Sequence, residues 1–143
     1  MSNLGIGVMI GMLGGSKETI AVLKASVGRK IMKAEVTDNQ LRLHFKDGAV
    51  LRIWDDGQSC CESRYMDTDD NLKYFTNTKL MDLSIETAPK QIADWSEHEI
   101  QFLHVKTGKG SFTVSNHNEH NGYYGGFWLQ ASLDDPRGGT GRG

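Results

Sequence analysis

Apolar and polar positions alternate with a period of two over most of this chain, and with a helical period only near its start. From Ser16 to Val27, the residues Ile20, Leu23 and Val27 share one face of a helix. Ser16 is placed to cap that helix, Glu18 sits in its first turn and Gly28 ends it. Beyond Gly28 the period changes. Met32, Ala34 and Val36 alternate with Lys33 and Glu35, and Leu41, Leu43 and Phe45 alternate with Arg42 and His44. Such alternation predicts half-buried strands. Lys46-Asp47-Gly48 is a tight-turn signal, so the second run and Val50–Trp54 read as a hairpin, closed by Asp55-Asp56-Gly57.

The polar stretch Gln58–Thr78 reads as a loop. Alternation resumes in Met81, Leu83 and Ile85, then in Ile100, Phe102 and Val105. Lys106-Thr107-Gly108-Lys109-Gly110 is a second hairpin turn, followed by Phe112 and Val114 and finally by Phe127, Leu129, Ala131 and Leu133. The pattern predicts an α+β fold: a mainly antiparallel β-sheet of about seven strands with an N-terminal helix packed on it.

Composition narrows this picture. At 143 residues the chain suits one domain. That domain is expected to span residues 1–133, with 1–15 as an apolar arm and 134–143 as a Gly/Arg tail without core-building residues. With 38% hydrophobic and 24% charged residues, general disorder is excluded. The two cysteines, Cys60 and Cys61, are adjacent and cannot close a loop, so nothing implies an oxidising compartment. A net charge of −2 has the wrong sign for a nucleic-acid coat, so no DNA partner is expected.

The apolar start, Met1–Leu13, precedes the first lysine, Lys17, which is the reverse of a secretory signal. It is also shorter than the about 20 apolar residues of a membrane helix, and no membrane partner is expected. Two readings remain: a partly disordered or loosely docked arm, or a self-association segment, which its apolar side chains suit and which would give a dimer or hexamer. Gly14-Gly15-Ser16-Lys17 lacks the spacing of a nucleotide-hydrolysing loop.

Candidate chemistry concentrates in Asn116-His117-Asn118-Glu119-His120-Asn121-Gly122-Tyr123-Tyr124-Gly125-Gly126. His117 and His120 have H-x-x-H spacing, and Cys60 or Cys61 could complete a zinc set. Adjacent cysteines chelate one ion poorly and no C-x-x-C exists, so neither a metal nor any other cofactor is expected. None of the five histidines has Ser or Thr two residues on, which removes paired H-x-[ST] phosphodiesterase chemistry, and no catalytic residue is assigned. Two readings remain for the segment. Asn amides can read a base edge or ribose hydroxyls while an aromatic stacks on a purine. Equally, Asn side chains can satisfy backbone groups in a polar turn. In Cys60-Cys61-Glu62-Ser63-Arg64-Tyr65-Met66, the Arg64 guanidinium suits a phosphate. The acidic run Asp67–Asp70 lacks the ligand pattern of a calcium loop.

Asp56-Gly57-Gln58-Ser59-Cys60-Cys61-Glu62-Ser63-Arg64-Tyr65-Met66, taken with Asn116–Phe127, resembles the first-described family of phage anti-Thoeris sponges. Those proteins soak up the cyclic ADP-ribose signal made by bacterial TIR-domain immune enzymes. The likeness covers about residues 28 to 133. It implies a non-enzymatic protein in the host cytoplasm, assembled as dimers that can pair into hexamers. The implied ligand is a cyclic ADP-ribose isomer, glycocyclic ADP-ribose, held at the dimer interface by aromatic stacking, an Asn and several Arg. Some members also take cyclic trinucleotides at separate sites. Carried onto this chain, the resemblance implies Arg64 as a ligand residue and Asn116, Asn118 and Asn121 as candidates for the ligand Asn. Phe112 and Tyr123 are the candidate stacking aromatics, and Arg137 and Arg142 the late arginines. The alternatives are an enzyme that degrades the same signal, or a phage structural or partner-binding protein with no small ligand.

Overall fold

The structure, a computed structural model, describes residues 17–57, 62–89, 91–93, 96–120, 127–135 and 140–142. It opens with helix α1 (Lys17–Ser26), followed by β1 (Lys30–Thr37), β2 (Gln40–Phe45), β3 (Val50–Asp55) and β4 (Ser63–Asp67). A single 3-10 turn (Leu72–Tyr74) leads to β5 (Thr78–Thr87), β6 (Gln91–Ala93), β7 (Ser96–Thr107), β8 (Gly110–His120), β9 (Leu129–Asp134) and β10 (Thr140–Arg142). The expected class holds: the protein is mostly antiparallel sheet with one short N-terminal helix. No described helix is long and apolar enough to cross a membrane.

The strand order is β10-β9-β3-β2-β1-β5-β7-β8-β4, with β6 beside β7. Its weak joint is β1 with β5, which pair only through Lys30–Lys79 and Ile31–Thr78. Around that joint the two halves turn their apolar faces to a common core. Leu41, Leu43, Leu51 and Ile53 of one half meet Leu83, Leu103, Val105 and Phe112 of the other in one buried cluster. Helix α1 adds Val22 and Leu23 to it and lies on β9, β10 and β3. Gly28, at φ +94°, lets the chain turn out of the helix, and its N–H donates to Leu80 O at 2.7 Å. Arg29 then binds Asp47 in the β2–β3 turn (2.7 Å) and Asp135 after β9 (3.5 Å).

The turns follow the sequence signals. Asp47-Gly48 joins β2 to β3 and Gly108-Lys109 joins β7 to β8, while Asp38 and Asn39, both at positive φ, form a two-residue β1–β2 connection that is not among those signals. Three strands are additions to the seven expected. The stretch Gln58–Thr78 is not all loop, because Ser63–Asp67 pairs with β8 as β4. β6 is a three-residue partner of β7. Residues 140–142 of the expected tail pair with β9. A ladder needs only backbone donors and acceptors, so short segments without an alternating apolar pattern can join one.

The inward set also differs at three places. A register shift between Ile31 and Lys33 buries Ile31 and leaves Met32 outside. Another, between Leu80 and Asp82, buries Leu80 and leaves Met81 outside. A bulge adds one residue to one strand and so reverses the parity of what precedes it. On β7 it is Leu103 and Val105 that face the core; Ile100 and Phe102 occupy the opposite face.

This register makes a direct test. Met81→Gln should change stability by less than about 0.5 kcal/mol, whereas Leu83→Ala should lose about 2–5 kcal/mol, both read from urea unfolding; comparable losses would contradict the bulge. A second test is electrostatic. The cross-strand hydrogen bond from His44 holds the Glu35 carboxyl below its ordinary value, outweighing desolvation. Its contribution is therefore present above the unfolded carboxylate value and is lost as pH falls through the lowered one. His44→Ala should return the Glu35 titration, followed by NMR, towards 4.5.

Candidate functional site

Strand β8 changes character halfway along its inward face. Phe112 and Val114 belong to the apolar core, but the next inward positions are Asn116, Asn118 and His120, all buried. On the neighbouring β7, Asn116 and Asn118 stand opposite Gln101 and Glu99, so one end of the interior is polar. Burying such groups is unfavourable unless each finds a partner. The partners come from β3, from Glu62 just before β4, and from β7.

Arg64 on β4 pairs in register with Asn118, and its side chain is only 5% exposed. Its guanidinium makes a two-pronged contact with Glu62, Nε to Oε1 at 3.3 Å and Nη2 to Oε2 at 2.8 Å. Nη1 donates to Asp55 Oδ2 at 2.9 Å. Among the described residues, two buried carboxylates therefore face one cation. The excess negative charge is offset by amide dipoles: Asn116 Nδ2 donates to Asp55 Oδ2 at 2.9 Å and Asn118 Nδ2 to Glu62 Oε2 at 3.1 Å. Asp55 Oδ1 takes two backbone N–H groups, from Gly57 (2.9 Å) and Trp128 (3.2 Å). Beside this group, His120 Nε2 lies 3.0 Å from Glu99 Oε1.

Two consequences follow. Because the carboxylate of Asp55 only accepts, Asn116 must turn its NH2 towards it, which fixes the amide orientation. Its Oδ1 is then a buried acceptor with no protein partner among the described residues. Trp128, half-exposed, lies against Gly57. A Cβ at that position would fall 2.0 Å from the indole Cδ1 and 2.9 Å from the Arg64 Cζ, so only glycine lets the indole and the guanidinium close on the chain there.

The structure thus brings together three residues singled out in the sequence, Arg64, Asn116 and Asn118. Phe112 stands apart. It is 1% exposed and packs against Phe75 at 4.9 Å between centroids, so it is a core residue, and the reading of it as a stacking platform is corrected. Asn121, Tyr123 and Arg137 lie outside the described residues, as do Cys60 and Cys61. Arg142 lies on β10, away from the β4–β8 edge in the strand order. Asp55, Glu62, Glu99 and Trp128 were not singled out, since acidic residues at strand ends and a lone Trp carry no pattern that marks burial or exposure. His117 and His120, spaced for a shared ligand, face opposite sides of β8 and cannot share one.

On the outer face Tyr65 donates its hydroxyl to Glu119. That hydrogen bond, then burial and the charges of Glu119 and Asp67, push the phenol up to about 12.

Fold and site together define an antiparallel β protein whose closed interior is apolar at one end and ion-paired at the other. The chain belongs to the DUF7448 family, a domain of unknown function, whose family model matches residues 24–129, about three quarters of the chain. The matched span contains every residue of the buried polar group. No curated protein and no solved structure matches the chain.

Removing one member of this group leaves the others buried without compensation. Asp55→Ala and Arg64→Ala should each destabilise the protein by about 3–5 kcal/mol. The double variant should lose clearly less than the sum, because the second removal relieves the charge left by the first. Denaturant unfolding of the four proteins measures this, and additive losses under about 1 kcal/mol each would show the ion pair to be immaterial.

Proposed function

We propose that this protein is a non-catalytic binder that sequesters a cyclic nucleotide-type immune signal in the host cytoplasm, with glycocyclic ADP-ribose as the first candidate. The observation that carries the reading is the register of β4 on β8, with Arg64 opposite Asn118. It joins the two sequence motifs that resemble the sponge family in one buried polar group. Residues 58–61 and 121–126 continue directly from Gly57 and His120 of that group.

The geometry changes the role of Arg64 within this reading. Held by Asp55 and Glu62, its guanidinium acts as a brace for the site and not as a free phosphate anchor. The group that offers itself to a ligand is the exposed indole of Trp128, which suits a base, whereas Asn116 Oδ1 is a buried acceptor without a protein partner among the described residues. Phosphate recognition falls to other cations, with Arg137 the late arginine that remains a candidate, since Arg142 lies at the other end of the strand order. Some ligands of the class are cyclic trinucleotides, which would occupy a second site in a dimeric or hexameric assembly.

Sequestration works by mass action. Nanomolar affinity, about −12 kcal/mol, in a protein made in excess keeps the free signal below the level that activates its effector. The test is to incubate the protein with glycocyclic ADP-ribose, denature it and chromatograph the released material. Full recovery of intact ligand, with a thermal shift of the folded protein beforehand, supports a sponge. A new product peak makes the protein a degrading enzyme, and a flat thermal shift across cyclic ADP-ribose isomers and cyclic trinucleotides makes it a protein with no small ligand of this class.

A further inference from the structure

A second group of side chains lies on the outer face of the β7–β8–β4 edge, on the side of β8 away from Asn116 and Asn118. His117 and Glu119 are two residues apart on β8 and so project from the same face. His98 on β7 stands directly opposite Glu119 in the register. His98 Nε2 lies 2.9 Å from His117 Nδ1 and 3.9 Å from Glu119 Oε2. Two imidazoles and a carboxylate are the ligand types of a borderline divalent ion such as Zn2+, with coordination positions left open.

The surrounding contacts are those that metal ligands need. His117 turns its other nitrogen, Nε2, to Asp67 Oδ1 at 3.0 Å. A carboxylate only accepts, so Nε2 carries a hydrogen, and in the neutral ring Nδ1 keeps its lone pair, directed at His98. A carboxylate behind the far nitrogen is the usual device that sets tautomer and orientation in a metal-bound histidine. Tyr65 stacks on the same ring, with centroids 4.4 Å apart and planes 8° from parallel, and its hydroxyl donates to Glu119. Strand β4 thus orients both the imidazole and the carboxylate. Among the described residues, the ion-pair partners of Asp67 and Glu119 are histidines.

As the side chains stand, no three such groups among the described residues have the spacing of a formed metal site. A hydrogen bond, donated by His98 Nε2–H to His117 Nδ1, closes the interval between the rings. Tetrahedral Zn2+ with bonds of about 2.0–2.1 Å sets two ligand nitrogens about 3.3 Å apart. The rings must therefore part by about 0.4 Å and the Glu119 oxygen must close on His98 by a little more, which side-chain rotation supplies.

We propose that His98, His117 and Glu119 are the ligands of one divalent transition ion of the Zn2+ type, oriented by Asp67 and Tyr65, and that the structure holds the hydrogen-bonded form of this site. On metal entry, His98 turns a lone pair to the ion, the hydrogen of its neutral ring moving from Nε2 to Nδ1. The ion's two positive charges are then balanced by Glu119 and Asp67.

The test uses the full chain after chelation and dialysis, titrated with Co2+ and Zn2+. One Co2+ per chain should bind with the visible absorption of a low-coordinate nitrogen and oxygen site, and Zn2+ should displace it. His98→Ala, His117→Ala and Glu119→Gln should each weaken binding by at least about 100-fold, and Asp67→Asn by about 10–100-fold. His104→Ala, also on the outer face of β7, should leave binding unchanged, and circular dichroism checks that each variant is folded. Absence of Co2+ absorption and Zn2+ heat in the folded wild type overturns the proposal. So does binding that survives the loss of His117 and disappears with Cys60 and Cys61.

Discussion

The carboxylate of Asp55 is the point on which the closed end of this protein depends. It is only 4% exposed and accepts four hydrogen bonds, two on each oxygen. The donors come from Arg64 on β4, Asn116 on β8, and the backbone of Gly57 and Trp128 on either side of β3 and β9. A buried carboxylate is tolerable only when its lone pairs are used and its charge is offset. All four donors must therefore be present together, and the elements that carry them are held in one arrangement. This matters because the two halves of the sheet share only a two-residue joint at β1 and β5. The apolar core favours closure in any tight packing; the Asp55 contacts select one packing among them.

A division of labour along β8 follows. Its first inward residues contribute apolar burial, the general stabilising term. Its last ones contribute directional contacts, which add specificity more than net stability. An Arg64 locked by two carboxylates belongs to the second kind. In a binding protein such bracing is useful, because side chains that are already fixed lose little freedom when a ligand arrives. The network also explains why Trp128 can stay exposed and still be well placed: its backbone N–H is held by Asp55 and its ring by the absence of a side chain at Gly57.

The same strand carries different chemistry on its two faces. Inward lie Asn116, Asn118 and His120, tied to β3, β4 and β7; outward lie His117 and Glu119, tied to His98, Tyr65 and Asp67. Period two separates the groups completely although their residues are interleaved in the chain. A ligand at one face need not touch any residue of the other, so binding and metal chemistry would be separable properties of one edge.

How much of this was legible depended on how local the cause was. Alternation marked Leu41, Leu43 and Phe45, the turn residues marked Asp47-Gly48 and Gly108-Lys109, and the sequence alone was enough for an antiparallel sheet with one helix. Those signals arise within a few residues, where backbone geometry dictates side-chain direction. Arg64 and the asparagines could be singled out by residue type, but not their purpose, which depends on Asp55 and Glu62 reaching them. The bulges at Ile31/Lys33 and Leu80/Asp82 could not be read, because the extra residue is set by the partner strand, and they turned Met32 and Met81 outward. Nor could spacing tell that His117 belongs with His98, 19 residues away, and not with His120, three away. Strand register, which only the tertiary structure decides, determines which side chains of distant segments share a face.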